Sequence, residues 1–126
     1  MLRDSEAFGG FSVNDLAAAK KFYGETLGLD VSEDEMGLKL HIAGSNGVFV
    51  YPKDDHVPAT YTTLNFPVGG IDAAVDELSG KGIVFERYEG LTDDKGIARG
   101  LAAHFGPDIA WFKDPAGNTL SVMQQS

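Results

Sequence analysis

The sequence predicts an α+β fold made of two copies of a module that reads strand, helix and then three strands. Alternating apolar residues mark the strands, and apolar residues at helical spacing mark one helix in each half. The halves also match at an offset of 55 residues, so that Val13 and Leu16 correspond to Val68 and Ile71. Such a repeat indicates a duplicated unit that cannot bury its apolar face alone.

The first module is predicted over about 7–52. Its elements, in order, are a strand over 7–13, a helix from Asn14 or Asp15 to Gly28, and strands around Val31, over 38–42 and over 48–51. Asn and Asp are good helix N-caps, and glycine commonly ends a helix. Alternation in the first strand places Phe8, Gly10 and Ser12 on one face.

A polar connector, which follows Pro52 and contains Pro58, is predicted over about 53–60, and the second module over about 61–124. The expected elements are a strand over 62–68, a helix over 71–78, a strand over 83–88, a long loop over 89–100, an ambiguous segment over 101–105, and strands over 109–113 and 119–124. The last two strands flank Asp114-Pro115-Ala116-Gly117-Asn118, which has the residues of a tight turn and therefore predicts a closing hairpin.

Composition limits the classes of function. The chain has 126 residues, the size of one domain, and it contains no cysteine, which excludes disulfides, thiolate metal sites and a cysteine nucleophile. A net charge of −9 without a basic cluster argues against nucleic acid and anionic membrane surfaces as partners. With no apolar run of spanning length and no apparent signal peptide, the sequence predicts a cytoplasmic protein, and its charge is compatible with a neutral or cationic small ligand.

One face of each predicted sheet is covered by a helix, and the other faces, put together, would enclose a cavity suited to a small molecule. Aromatic residues with a few hydroxyl groups and one amide dominate the predicted cavity face. The candidate ligand-binding residues are Phe8, Ser12, Tyr51, Thr63, Asn65, Trp111 and Ser121. For Phe8, and for Met123 on the same face, simple core packing is the alternative interpretation.

Several motifs resemble the vicinal oxygen chelate superfamily, which includes glyoxalases, extradiol dioxygenases and proteins of fosfomycin and bleomycin resistance. The resemblance covers about residues 7–124. It is carried by Val13-Asn14-Asp15-Leu16, Phe22-Tyr23, Leu27-Gly28-Leu29 and the run from Phe112 to Asn118. The resemblance implies two βαβββ modules that form a half-barrel around a central cavity, often within a homodimer. Unpaired sheet edges independently favour a symmetric homodimer.

Metal-using members of that superfamily place His, Glu or Gln at four inward strand positions. The resemblance puts those positions near Phe8, Tyr51, Thr63 (or Tyr61) and Ser121 in this sequence. A phenyl ring cannot bind a metal, and neutral hydroxyl groups are poor ligands. We therefore expect no metal ion and no other cofactor.

Three histidines are candidates for acid–base chemistry. His41 lies on the polar face of its strand, and His104 precedes Phe105-Gly106-Pro107 close to the closing hairpin, so both are kept as candidate catalytic residues. His56 lies in the connector beside two aspartates and is interpreted as a solvated surface residue. For His41 and His104, an ordinary structural or surface role is the alternative.

Three hypotheses follow from these observations. The leading one is a metal-independent protein that binds a small organic molecule in an aromatic cavity, similar to the drug-sequestering members of the superfamily. The alternative is a lyase or isomerase that resembles glyoxalase and uses His41 or His104 as acid or base. The third is a non-catalytic module of a larger complex. A titratable group inside the cavity would favour an enzyme, whereas aromatic and hydroxyl side chains alone favour sequestration.

Overall fold

A computed structural model describes all residues, 1–126, and the chain divides into two compact units, Met1–Pro58 and Ala59–Ser126. Each unit contains one four-stranded sheet with helices, and neither sheet closes into a barrel. The predicted α+β class is therefore confirmed. No helix is long and apolar enough to cross a membrane.

The first unit follows the predicted order of strand, helix and three strands after a short 3-10 helix at Leu2–Asp4. Its elements are β1 (Gly9–Val13), α1 (Leu16–Lys21), β2 (Asp30–Asp34), β3 (Gly37–His41) and β4 (Val48–Pro52). The strands lie in the order β1-β4-β3-β2. The first and last strands pair in parallel, and the other pairs are antiparallel.

Local capping explains where α1 begins and ends. Asp15 precedes the helix, and its Oδ1 accepts a hydrogen bond from the Ala18 N–H at 3.0 Å, as an N-cap side chain does. The helix continues into a π-helical turn over Phe22–Thr26. Gly28 then takes a φ of +72°, a conformation that costs glycine little, and the chain leaves the helix there as predicted.

The two faces of the first sheet differ in character. Val13, Leu38, Leu40 and Val50 are buried on the face that α1 covers, where Tyr23 is also fully buried. The neighbouring residues in each strand, which point the other way, form what we call the open face of the first sheet. The alternation predicted from the sequence thus decides which side chains are available for binding.

The second unit repeats this arrangement with one additional helix. Its elements are β5 (Thr62–Pro67), α2 (Ile71–Gly80), β6 (Ile97–Arg99), α3 (Gly100–Ala103), β7 (Asp108–Lys113) and β8 (Thr119–Gln124). The strands lie in the order β5-β8-β7-β6, and again the first and last strands pair in parallel. The ambiguous segment over 101–105 contains most of α3 and the turn that follows it.

The strand predicted over 83–88 is wrong. Ile83 and Phe85 are buried and Val84 is exposed, which produces the strand-like alternation, but these residues belong to no sheet. Their backbone meets β7 through the hydrogen bond from the Glu86 N–H to the Trp111 carbonyl, at 2.8 Å. The second strand of the unit in chain order is instead β6, which lies inside the segment predicted as a loop.

The β7–β8 hairpin is confirmed, and its turn is held by a buried carboxylate. Asp114 Oδ1 accepts hydrogen bonds from the backbone N–H groups of Ala116 at 3.0 Å and Asn118 at 2.8 Å. The Asn118 side chain donates to Asp114 Oδ2 at 3.0 Å. Gly117 supplies the positive φ of +87° that the turn requires. The buried polar groups of the turn therefore stabilise one another.

The hairpin also separates a core face from an open face in the second sheet. Ala110, Phe112, Leu120 and Val122 are buried beside α2, and the Phe112 ring packs edge-on against Phe85 with centroids 5.5 Å apart. Trp111 lies between Ala110 and Phe112 in β7 and is paired with Ser121 of β8. Trp111 and Ser121 therefore lie on the opposite, open face of the second sheet.

An ion-pair network ties β6 to α2. Arg99 donates to both carboxylate oxygens of Asp72, at 2.8 and 2.9 Å, and its Nε donates to Asp93 at 3.0 Å. Lys95 lies 3.2 Å from Asp72 and 2.9 Å from Asp76. The hydrogen bonds from Arg99 and then Lys95 hold the pKa of Asp72 well below its usual range. A carboxyl group with a lowered pKa stabilises the folded state only while it is ionised.

We therefore expect Asp72→Asn to lower the melting temperature at neutral pH and to have a much smaller effect in acid. The ionised Asp72 carboxylate makes its full contribution to the free energy of unfolding above the pKa of Asp in the unfolded chain, about 3.9. That contribution is lost as the pH falls toward and through the lower pKa of Asp72 in the folded protein. Thermal unfolding of both proteins between pH 7 and pH 2 measures this. Asp94→Asn, at an exposed aspartate, is the control. An equal loss at every pH would show that the charge of Asp72 is not responsible.

Candidate functional site

The open face of the first sheet combines aromatic and polar side chains. It carries Ser12 from β1, Phe49 and Tyr51 from β4, and Lys39 and His41 from β3. Ser12 pairs in register with Tyr51, and Lys39 pairs with Phe49. The Phe49 and Tyr51 rings stack with centroids 5.5 Å apart and planes inclined by 19°. The two rings therefore form a near-parallel aromatic pair on this face, and aromatic ligands can pack favourably against such rings.

A histidine that sequence reasoning placed at the surface joins this face. His56 Nδ1 lies 2.6 Å from Ser12 Oγ, and His56 is half-buried. The interpretation of His56 as a solvated residue is therefore wrong. The parallel pairing of β1 with β4 explains the contact, because the chain leaving β4 runs beside the end of β1, where the Lys53 N–H donates to the Val13 carbonyl at 2.9 Å. No local sequence signal predicts a contact between residues 44 positions apart.

Phe8 was predicted to lie in the first strand, but it lies outside that strand. The strand begins at Gly9, and the Phe8 side chain is 65% exposed. Phe8 nevertheless borders a cavity of about 220 Å³ in the first unit, together with Phe49, Lys39 and Asp34. The prediction that Phe8 and Ser12 share one face of a strand is therefore wrong. Phe8 still borders the same cavity as Phe49, a residue of the open face.

The two candidate catalytic histidines are both exposed. His41 Nε2 lies 2.8 Å from Ser32 Oγ on the neighbouring strand, and His41 borders a wide depression of about 620 Å³ in the first unit. His104 follows α3 with a left-handed φ of 58° and borders a depression in the second unit with Leu101 and Met123. Neither histidine lies in an enclosed site.

Two candidate hydroxyl groups of the second unit, those of Ser121 and Thr63, donate hydrogen bonds to other groups of the same unit. Ser121 is fully buried, and its Oγ donates to Asn65 Oδ1 at 2.6 Å. Thr63 lies at the point where the β5–β8 register shifts, and its Oγ1 donates to the Thr119 carbonyl at 3.0 Å. Ser121 Oγ thus occupies the amide oxygen of Asn65, and the other polar group of this exposed side chain is an N–H donor.

Trp111 is half-buried on the open face of the second sheet. Its indole meets the Tyr88 ring at an interplanar angle of 75°, with centroids 5.8 Å apart. Tyr88 was not among the predicted site residues, because it belongs to the segment that sequence reasoning assigned to a strand. The signal in the sequence is the apolar side chains of Ile83 and Phe85. Both are buried in the structure, and the segment that carries them also carries Tyr88.

The positions that the family resemblance assigns to metal ligands, near Phe8, Tyr51, Thr63 (or Tyr61) and Ser121, do not fit a metal ion. Phe8 has no donor atom, and the hydroxyl groups of Thr63 and Ser121 are bound to protein acceptors. Tyr51 offers only a phenol, in ring contact with Phe49. Nowhere do three or more His, Cys, Asp or Glu side chains form a group that could hold a metal ion. Divalent ions in such sites prefer imidazole or carboxylate groups, so this donor set is unsuitable.

Solved structures with the same fold include an antibiotic binding protein and a fosfomycin resistance protein. TnmS3, an antibiotic binding protein from Streptomyces sp. CB03234, is 21% identical, with 100% of this chain and 99% of that chain covered and a TM-score of 0.70. The fosfomycin resistance protein FosX from Listeria monocytogenes is 13% identical, with coverages of 98% and 94% and a TM-score of 0.69. At these identities the similarity establishes the fold alone.

A third structure is a superfamily member from Sphaerobacter thermophilus DSM 20745, at 20% identity, coverages of 99% and 100%, and a TM-score of 0.70. No curated protein sequence gives a significant match. The sequence model of one family does match, over residues 9–122, which is most of the chain. The protein therefore belongs to the glyoxalase/bleomycin resistance protein/dioxygenase superfamily.

Proposed function

We propose that this protein binds a small organic molecule without a metal ion, as drug-sequestering members of its superfamily do. The observation that carries the proposal is the aromatic character of the open faces. Tyr51 stacks on Phe49 in the first unit, and Trp111 packs against Tyr88 in the second. Aromatic surfaces with few polar anchors suit planar apolar ligands. The antibiotic-binding function named for TnmS3 gives further support.

The polar anchors and the net charge narrow the ligand class. The Asn65 amide supplies hydrogen-bond donors, and the Ser12–His56 pair supplies a hydroxyl group and an imidazole. The net charge of −9 favours neutral or cationic molecules over anions. We infer a neutral or cationic aromatic compound with at least one carbonyl or hydroxyl group.

The alternative of a lyase or isomerase that uses His41 or His104 has less support. A general base must reach the proton it removes and is usually held in a shielded site. Both histidines are exposed, and His104 lies in a turn next to the exposed Phe105. Binding therefore remains the better proposal for these faces.

Truncation of the two neighbouring aromatic residues in β7 should separate binding from folding. Trp111→Ala should weaken ligand binding by about 2 kcal/mol, or roughly 30-fold in Kd, and cost less stability. Phe112→Ala should lower the free energy of unfolding by about 3–5 kcal/mol, because Phe112 is a buried aromatic residue of the core. The ligands are those that raise the melting temperature in a screen of neutral and cationic aromatic antibiotics and metabolites.

Binding can be followed directly, because Trp111 is the single tryptophan of the chain. Its fluorescence should change with each ligand that raises the melting temperature, and Phe105→Ala, at an exposed aromatic residue of the same unit, should bind like the wild type. If the fluorescence emission of Trp111 is unchanged by every ligand that raises the melting temperature, the open face of the second sheet is not the binding site.

Removal of metal ions should change neither stability nor binding. The purified protein should contain less than stoichiometric transition metal by mass spectrometry, since Phe8, Thr63 and Ser121 supply no suitable ligands. Incubation with a chelator should leave the melting temperature and the ligand-induced shift unchanged. One divalent ion per chain, together with a melting temperature that drops on chelation, would contradict metal independence.

We also propose that the protein is a cytoplasmic homodimer with an isologous interface. Within their own sheets, the edge strand β2 is acidic and the edge strand β6 has only three residues, and both features discourage further pairing. The edge strands β1 and β5 carry no charged residue. Light scattering at micromolar concentration should give twice the mass of one chain, and a monomeric mass would count against the dimer.

A further inference from the structure

The Ser12–His56 pair has the geometry of a nucleophile beside its base. Ser12 Oγ and His56 Nδ1 are 2.6 Å apart, within the range in which an imidazole can take the proton of an attacking hydroxyl group. We propose that Ser12, activated by His56, is a nucleophile that cleaves small neutral aryl esters. This activity goes beyond ligand binding and uses residues of the first unit alone.

The position of Ser12 leaves room for a substrate. Ser12 is half-buried and lies on the open face of the first sheet. Gly10, two residues earlier on the same face, has no side chain to block an approach along the strand. β1 is also an edge strand of its sheet, so no further strand of that sheet lies beyond it. Because a Cβ at Gly10 would lie 3.0 Å from the Phe49 carbonyl oxygen, the proposed approach of the ester carbonyl is at the β1 edge of the open face rather than directly over Gly10.

The base is held in place by the turn that carries it. The backbone N–H of His56 donates to the Lys53 carbonyl at 3.1 Å, and the backbone N–H of Lys53 donates to the Val13 carbonyl at 2.9 Å. These bonds fix the chain after β4 to the end of β1, next to Ser12. The Asp55 carboxylate is paired with the Lys53 ammonium group, as the lowered pKa of Asp55 reflects.

The proposed reaction is a two-step hydrolysis. Ser12 Oγ attacks the ester carbonyl carbon while His56 Nδ1 takes the hydroxyl proton, and the carbon–oxygen bond to the aryl group then breaks. The proton on His56 passes to the leaving aryl oxide and gives a phenol. Water, again deprotonated by His56, attacks the acyl-serine, which releases a carboxylic acid and restores Ser12. Water is the only co-reactant.

The aromatic wall beside Ser12 selects the substrate class. Tyr51 is the register partner of Ser12 on the same face, and Phe49 stacks on Tyr51. An aryl leaving group can lie against these rings while its ester carbonyl meets Ser12, which favours aryl over alkyl esters. The net charge of −9 disfavours anionic esters.

The chain contains its own matched control, a second serine–histidine pair. Ser32 Oγ lies 2.8 Å from His41 Nε2 on strands β2 and β3, and both residues are exposed. If any adjacent serine and histidine reacted, the two pairs would behave alike. The proposal assigns reactivity to Ser12 because it has the neighbouring aromatic wall and the fixed base, so Ser32→Ala should change neither labelling nor hydrolysis.

The test is covalent labelling with a fluorophosphonate, with the site mapped by mass spectrometry, combined with hydrolysis of p-nitrophenyl acetate. The wild type should be labelled at Ser12, and Ser12→Ala should abolish both labelling and hydrolysis. His56→Gln, which keeps a hydrogen-bonding side chain, should slow both by about 100-fold, the lower range for a general base. Absence of label, label on another residue, or full reactivity of His56→Gln would overturn the proposal.

A cysteine variant provides an independent measurement, because the natural chain has no cysteine. Ser12→Cys should be alkylated by iodoacetamide roughly tenfold faster than Ser12→Cys combined with His56→Gln, and faster than Ser32→Cys, since a neighbouring imidazole promotes the thiolate. Equal rates would contradict activation by His56. Ligand binding followed through Trp111 is measured in the same proteins, so a failure of this proposal is distinct from a failure of the binding proposal.

Discussion

The parallel pairing of the first and last strand in each unit is the constraint on which the candidate site depends. β1 pairs with β4, and β5 pairs with β8. Parallel neighbours require a long intervening connection, so each pairing brings together residues that are far apart in sequence. Ser12 meets Tyr51 and His56 in the first unit, and Asn65 meets Ser121 in the second. Without these pairings, the polar side chains of the open faces would have different neighbours.

Local signals predict most of the fold because each carries a distinct physical constraint. The period-two burial of Leu38, Leu40 and Val50 marks strands with one covered face. The Asp15 cap and the positive φ of Gly28 mark the limits of a helix. The turn from Asp114 to Asn118 is specified by a carboxylate that accepts backbone hydrogen bonds four residues along. Each of these features acts within a short stretch and is therefore readable from the sequence.

The errors occur where a distant contact decides between similar patterns. The segment over 83–88 has the alternation of a strand, yet the place beside β7 in the sheet is taken by β6. β6 is only three residues long, and its Arg99 forms ion pairs with Asp72 and Asp93 outside the sheet. A pattern of three residues is too short to predict a strand, and an ion pair between residues 27 positions apart leaves no local signal.

The same distinction applies to the candidate site. Alternation correctly places Ser12, Tyr51 and Trp111 away from the helix-covered faces, because the face of a strand residue follows from its position alone. The partners that give these side chains their chemistry, His56 for Ser12 and Tyr88 for Trp111, lie in segments outside the sheets. Their positions follow from tertiary packing, which a single sequence does not reveal.

The hydrogen bonds of the open faces determine what a bound molecule can meet. In the second unit, Ser121 and Thr63 donate to protein acceptors, so their hydroxyl hydrogens are already used. The bond from Ser121 also occupies Asn65 Oδ1, so the other polar group of the Asn65 side chain is an N–H donor. Under the proposed binding function, this combination of an aromatic surface and a hydrogen-bond donor suits a planar molecule with a carbonyl group. In the first unit, the Ser12 hydroxyl group instead lies beside an imidazole, and that difference is the basis of the proposed ester hydrolysis.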